Sequence, residues 1–232
     1  MSLIESLSAN LPKLLDGLET TLILTGLGAA LAAVFSPGLA LIRLSGPAPA
    51  KVLLRIYISF MRGTPLLAQL FLVFYGSGQF RAELTTLGLW SFFRDPFNCA
   101  VLVFVLNSCA YQTEILRGGL QAVPPGEIEA ARAIGMTRAQ VLARVTFPHA
   151  YRIAWPALGN EVILLMKASA LASIVTVFDL MGRTRQIFSR SFEFSVYFEA
   201  AVLYLLITVL FVFLWRQIER RLTRPMRRTQ GN

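Results

Sequence analysis

The sequence predicts an all-α membrane protein with five transmembrane helices, on three observations. Of the 232 residues, 55% are hydrophobic and only 15% charged, with mean hydropathy +0.60; a soluble domain carries roughly 25% charge. Long uncharged runs recur at lengths that cross a bilayer. The net charge of +9 lies beside those runs and at the C-terminus, which is how topology is encoded rather than how nucleic acid is bound. No nucleic-acid partner is therefore expected. Cys99 and Cys109 have no metal-ligand spacing around them and read as small buried hydrophobes. His149 is the single histidine, so no metal site is expected.

Residues 1–19 form an N-terminal amphipathic segment, with leucines at three- and four-residue spacings and Pro12 interrupting. The first ten residues lack a basic cluster and a small-residue cleavage site, so the first apolar block is expected to remain as a span. That span lies between Glu19 and Arg43, without an intervening charge. Gly26, Gly28, Ala29, Ala30, Ala32 and Ala33 give it a small-residue surface for close helix contact. Pro37 and Gly38 kink or end it. A Gly/Pro/Ala linker at 45–50 leads to a second span from about Lys51 to Gly78. Its interior run Gly63-Thr64-Pro65 costs a helical hydrogen bond and reads either as a structural kink or as a moving joint near a pathway.

Residues 79–95 are an aromatic connector suited to the interface. The third span, about 96–118, ends in polar residues. There Glu114 and Arg117 have the spacing of a local ion pair, although a carboxylate lining a cation path is the alternative. The fourth span, about 153–177, carries Asn160, Glu161, Lys167 and Ser169. Polar groups at that depth need partners, which turns them toward the protein interior or a cavity. Glu161 and Lys167 are six residues apart and poorly placed to pair with one another. A connector at 179–193 precedes the fifth span, about 196–215. A basic tail with six arginines and one glutamate follows.

The longest non-spanning piece is the loop 121–151. Pro124 and Pro125 stop one helix and permit the next. Glu127 and Glu129 fall near the new helix's positive end. Gly135 breaks it, and Thr137 with Gln140 has the spacing of a capping box. A second short helix is expected to end before Pro148. The loop then reads as two short helices meeting at a glycine, suited to a groove on a partner or to an ordinary surface hairpin. Five spans place this loop, the first connector and the basic tail on one side, which the positive-inside rule makes cytoplasmic. The N-terminus is then outside. The three arginines of the 179–193 connector run mildly against this. The chain divides into the N-terminal segment 1–19, a transmembrane domain 20–219 containing the loop 121–151, and a basic cytoplasmic tail 220–232.

Three motifs carry a family resemblance. Glu129-Ala130-Ala131, three residues, Gly135, nine residues, Val145 and then Pro148 resembles the EAA loop of permease subunits of bacterial ABC importers. Phe147 stands where leucine is common in that loop. Arg62-Gly63-Thr64-Pro65-Leu66-Leu67, followed by Gln69, resembles an early signature of the polar amino acid branch. Asn160-Glu161-Val162-Ile163-Leu164 and Lys167 to Ser173 resemble that branch's fourth helix.

The resemblance implies a type I ABC importer permease fold in the bacterial inner membrane, with a periplasmic N-terminus. It implies a second homologous permease subunit, a cytoplasmic ATPase dimer and a periplasmic solute-binding protein. Glu129, Ala130, Ala131, Gly135, Val145 and Pro148 are then the candidate ATPase-coupling residues. Glu114, Asn160, Glu161 and Lys167 are candidate pathway or substrate contacts, and Gly63, Thr64 and Pro65 a candidate kink. The chain contains no phosphate-binding G-x-x-x-x-G-K-[S/T] loop. It is therefore expected to be a transporter subunit rather than an enzyme, to hold no cofactor, and to leave ATP and Mg to the partner ATPase. The substrates implied are histidine, lysine, arginine, ornithine or opines. A secondary amino acid transporter or channel would also explain buried charges, but not the paired short helices or the missing internal repeat.

Overall fold

The computed structural model describes residues 3–227. Eleven α-helices are present among them: α1 Leu3–Ser45, α2 Ala48–Gly63, α3 Leu66–Gln79, α4 Arg81–Thr86, α5 Trp90–Phe93, α6 Pro96–Gln121, α7 Pro125–Ala133, α8 Arg138–Val141, α9 Phe147–Ala168, α10 Leu180–Ser191 and α11 Ser195–Arg227. A π turn, Leu142–Thr146, joins α8 to α9, and a 3-10 turn, Ser169–Val175, extends α9. Four helical stretches are long and apolar enough to cross a membrane, and the bent pair α2–α3 makes a fifth if taken as one broken span.

Local chemistry sets most boundaries. Asp95 caps α6 by accepting from the Phe97 amide at 2.9 Å, with Pro96 in the first turn. Asp179 caps α10 by accepting from the Gly182 amide at 2.9 Å. Burial pushes the Asp179 carboxyl up to about 6.

Two sequence expectations are corrected here. Residues 3–19 are not separated from the first span: α1 runs unbroken through Pro12 and Pro37. Each proline removes one ladder bond, which packing along a long helix outweighs. Its small residues do not form one surface either. Gly28 and Ala32 are buried, while Gly26, Ala30 and Ala33 face outward, because the buried stripe follows the 3.6-residue period through Thr21, Leu24, Gly28, Ala32 and Ser36. The 179–193 connector is mostly the helix α10. Of the expected tail 220–232, residues 228–232 lie outside the described residues, as do Met1 and Ser2 of the N-terminal segment.

Contacts fix the relative directions. Gln112 donates to the Ala29 carbonyl at 3.1 Å and Arg43 to Glu114 at 3.3 Å, so α1 and α6 run parallel. Ser108 meets Glu161, and a Cβ on Gly119 would lie 2.7 Å from the Ala150 carbonyl oxygen, so α9 runs back against α6. Trp215 stacks on Trp155 at 4.3 Å while Tyr204 reaches Asp179, so α11 runs against α9. Helices α3 and α5 both pack on α6, and α5 lies two residues before its start. The bent pair thus returns the chain to the end where α6 begins, which gives five crossings.

The core has three storeys along α1. Leu14, Leu180, Ile187, Val196 and Ala200 form one end. Leu24, Leu70, Val103, Phe104, Leu165 and Val175 form the middle. Ala40, Leu116, Leu120, Ala150, Ala154 and Leu158 form the other end, beside the loop that leads to α7. On α11, Leu205, Leu206, Val209, Leu210, Phe213 and Leu214 face outward, an apolar exterior suited to lipid or a further membrane subunit.

Candidate functional site

The second span is broken rather than kinked. Thr64 and Pro65 are extended, and the axes of α2 and α3 differ by 105°. A break inside an apolar bundle frees backbone carbonyls that must find donors. Gln69 supplies them, donating from Nε2 to the Met61 carbonyl at 2.9 Å, the Thr64 carbonyl at 3.2 Å and Thr64 Oγ1 at 2.8 Å. Asn107 on α6 donates to the Met61 carbonyl at 3.1 Å and to Gln69 Oε1 at 3.0 Å. The break is therefore bolted to α6. Gly63, Thr64 and Pro65 are all at the joint. Arg62, just before it, lies 5.1 Å over the Tyr111 ring.

Beside the joint is Glu161, 6% exposed. Its Oε1 accepts from Ser108 Oγ at 2.7 Å. Gln112 holds Ser108 by donating to its Oγ at 3.1 Å, and itself accepts from Ser36 at 3.4 Å. Glu161 Oε2 is buried and accepts no hydrogen bond among the described residues. A cavity of about 310 Å³ opens here, lined by Thr64, Pro65, Leu66, Asn107, Tyr111, Glu161, Leu164, Leu165 and Ala168. The arrangement is an apolar slot with one under-satisfied carboxyl group in its wall. It can take an aliphatic stem ending in a donor or a cation.

The other three candidate pathway residues are elsewhere. Glu114 is spanned by two cations, Arg43 at 3.3 Å and Arg117 at 2.7 Å; it ties α1 to α6 near the loop end of the bundle. Asn160 is exposed and lines a separate cleft with Gly159, Trp215, Arg216 and Glu219. Lys167 is exposed. The reason is rotational: at about 100° per residue, positions 160 and 167 point roughly 100° and 240° away from 161. The sequence reading passed over Asn107, Ser108, Tyr111 and Gln112 as site residues. Their signal was available, since 107/111 and 108/112 are adjacent four-residue pairs on one helix face.

At the loop end, α7 opens with Pro125 and Glu127 and closes with Arg132. Gly135 has φ +86°, a left-handed conformation that glycine adopts without penalty. The capping box is present: Thr137 Oγ1 accepts from the Gln140 amide at 3.3 Å and Gln140 Oε1 from the Thr137 amide at 2.9 Å. Glu129, Ala130 and Gly135 are exposed. Ala131 is not part of that surface; it is 6% exposed, turned against the rest of the segment. Val145 is half-buried in the π turn, and Pro148 is exposed in the first turn of α9.

The helix expected to stop before Pro148 instead continues through it. Proline lacks a donor and crowds the carbonyl four residues back, and the π turn at Leu142–Thr146 widens the helix just there. Ile134, 78% exposed at the tip between α7 and Gly135, is a further surface residue that sequence reading missed. One isoleucine beside a turn glycine carries no periodic signal.

Comparison with known proteins adds to this geometry. Residues 38–224 match the family described as binding-protein-dependent transport system inner membrane component. The nopaline transport system permease protein NocM of Agrobacterium fabrum is 44% identical over 206 residues, 88% of this chain and 86% of that protein. The histidine/lysine/arginine/ornithine transport system permease protein HisM of Salmonella typhimurium is 47% identical over 169 residues, 72% of this chain and 71% of that one. A crystal structure of an amino acid ABC transporter with histidines superposes with TM-score 0.80 at 36% identity, covering 93% of this chain and 97% of that one. The MetNI methionine ABC transporter in an inward-facing conformation shares the fold, with TM-score 0.76 at 19% identity.

Proposed function

From the premise that this chain belongs to the family of binding-protein-dependent transport system inner membrane components, we propose that it carries a basic amino acid or opine through the cavity at the α2–α3 break. The chain is a permease subunit of an amino acid or opine ABC importer and not an enzyme. It is a multi-pass protein of the inner membrane.

The single observation that carries the substrate assignment is the position of Glu161. Glu161 lines a cavity whose remaining wall is largely apolar, and its Oε2, buried within that wall, accepts no hydrogen bond among the described residues. A carboxylate is costly to hold there without a counter-charge. The guanidinium or ammonium of a basic substrate supplies that charge, while Pro65, Leu66, Leu164 and Leu165 accept the aliphatic stem. That the relatives include permeases named for nopaline and for histidine, lysine, arginine and ornithine supports the same class.

The remaining partners follow from the family. A soluble binding protein delivers substrate at the end bearing α10, and a second permease subunit completes the pathway. A cytoplasmic ATPase dimer binds ATP and Mg and docks on the segment from α7 to α8. Glu129, Ala130, Ile134 and Gly135 form the contact face, Val145 and Pro148 the joint behind it. The termini then lie on opposite sides, with the N-terminus outside.

The test is uptake into vesicles holding the chain with its ATPase, partner permease and binding protein, using labelled arginine, lysine, ornithine, histidine, octopine and nopaline. ATP-dependent uptake of at least one cationic compound, abolished in Glu161→Gln but with the complex intact, is the expected result. Unchanged uptake in that variant would overturn the role of Glu161. Uptake without ATP would overturn the importer reading in favour of a secondary transporter or channel.

A further inference from the structure

We infer that Glu127 and His149 form a positioning clamp that fastens α7 directly to the span bearing Glu161, so that this contact carries motion from the segment to the cavity. The inference rests on the reading above that an ATPase docks on α7 and α8. Glu127 Oε2 lies 2.8 Å from His149 Nδ1, joining the first turn of α7 to the first turn of α9 across 22 residues of sequence.

The covalent route between the same two points is poorly suited to transmitting a displacement. It passes the left-handed turn at Gly135, the short α8 and the widened π turn at Leu142–Thr146. Each is a place where a chain absorbs movement. The clamp bypasses all three. His149 sits beyond the π turn on α9, the same helix that carries Glu161 twelve residues later, a rise of about 18 Å.

The pair is not what seats the segment. Its side chains are 17% and 44% exposed, and such pairs contribute little to folding. Val123, Ile128 and Phe147 instead pack with Leu120 and Ala150 in the core storey beneath. Variants of the clamp should therefore fold and assemble. What they lose is a fixed distance between α7 and α9.

The experiment uses the full complex in lipid nanodiscs and vesicles, reading ATP hydrolysed per substrate imported over the same panel of amino acids and opines. Wild-type uptake that needs no ATP would sink the importer reading itself, and that is seen before any variant is compared. Glu127→Ala and His149→Ala are each expected to raise the ATP cost per import about threefold or more, with ATP hydrolysis retained. The double variant should be no worse than either single one, the signature of one shared contact. Exchanging the two, Glu127→His with His149→Glu, should restore the ratio. With only this chain isotope-labelled, His149 is the single labelled histidine, and its imidazole resonance should also shift in Glu127→Ala. An unchanged ratio in both single variants overturns the clamp. So does a parallel fall of ATP hydrolysis and uptake at constant ratio, which would make the pair merely structural, or a double variant whose effect is the product of the two.

Discussion

The cavity at the α2–α3 break and the segment from α7 to α8 are built on opposite principles. The cavity's polar groups are tied together across long sequence distances, Asn107 to Met61, Ser108 to Glu161 and Gln112 to Ala29, with the local bonds of Gln69 and Gln112 between them. The segment's internal shape is set by neighbours three to five residues apart, through the Thr137–Gln140 box and the turn bonds from Gly135 to Arg132 and Met136 to Ala131, although packing on the bundle seats it. One region exists only when the bundle has assembled, and the other is largely written into its own stretch of chain. A change in the first should alter what is carried or whether the bundle holds. A change in the second should alter how transport is driven.

The sharpest way to break that contrast is at Glu161. Removing one partner of a buried charge interaction costs about 2–5 kcal/mol, so Glu161→Gln should lower uptake of a cationic substrate by roughly 30-fold or more. Binding-protein-stimulated ATP hydrolysis measured alongside should fall with it, because no substrate is accommodated. Next comes Gly135→Val. A Cβ there would meet nothing within 4 Å, so the penalty is purely conformational, about 1–3 kcal/mol for a left-handed residue without glycine's freedom. Uptake is expected to drop about tenfold with the same substrate preference and an unchanged thermal midpoint for the bundle. A shifted preference would show that the two regions are not separable as described.

Asn107→Leu tests the bolt rather than the substrate contact. It leaves a carbonyl at the break short of a donor, at a cost of about 1–3 kcal/mol, and should lower the melting temperature of the purified complex in detergent. The smallest effect belongs to Thr137→Ala. Loss of the cap costs about 1 kcal/mol and should appear as faster amide exchange confined to α8, with uptake within a few-fold of wild type.

The same contrast explains what the sequence made legible. Several features that depend on near neighbours could be read directly: the double proline at the start of α7, the glycine turn and the capping box. The five-span count could be read too, because spans are defined by length and polarity alone. What could not be read was which way a helix faces. Asn160, Glu161 and Lys167 looked equivalent as polar groups in one span, and only packing of α9 on α6 singled out Glu161. Glu114 was equally ambiguous until Arg43 arrived from α1. Ala131 sits beside Ala130 in the sequence, yet one turns inward and the other outward. Pro148 misled for a different reason. Proline ends an α-helix in isolation, but a wider turn placed just before it lets the helix pass.

That wider turn has a consequence for how length, as distinct from composition, is constrained. A π turn accommodates one more residue than the α-helix it interrupts, and each residue advances a helix by about 100° and 1.5 Å. The heading of α7 and α8 relative to Glu161 is therefore a matter of counting. Inserting one residue into Leu142–Thr146, beyond the one the wider turn already absorbs, would swing the exposed face of α7 and α8 by about 100°, more than a quarter of a turn, while α9 keeps its place in the bundle. Side-chain substitutions are the smaller hazard in these five positions, and a change of chain length is the larger one.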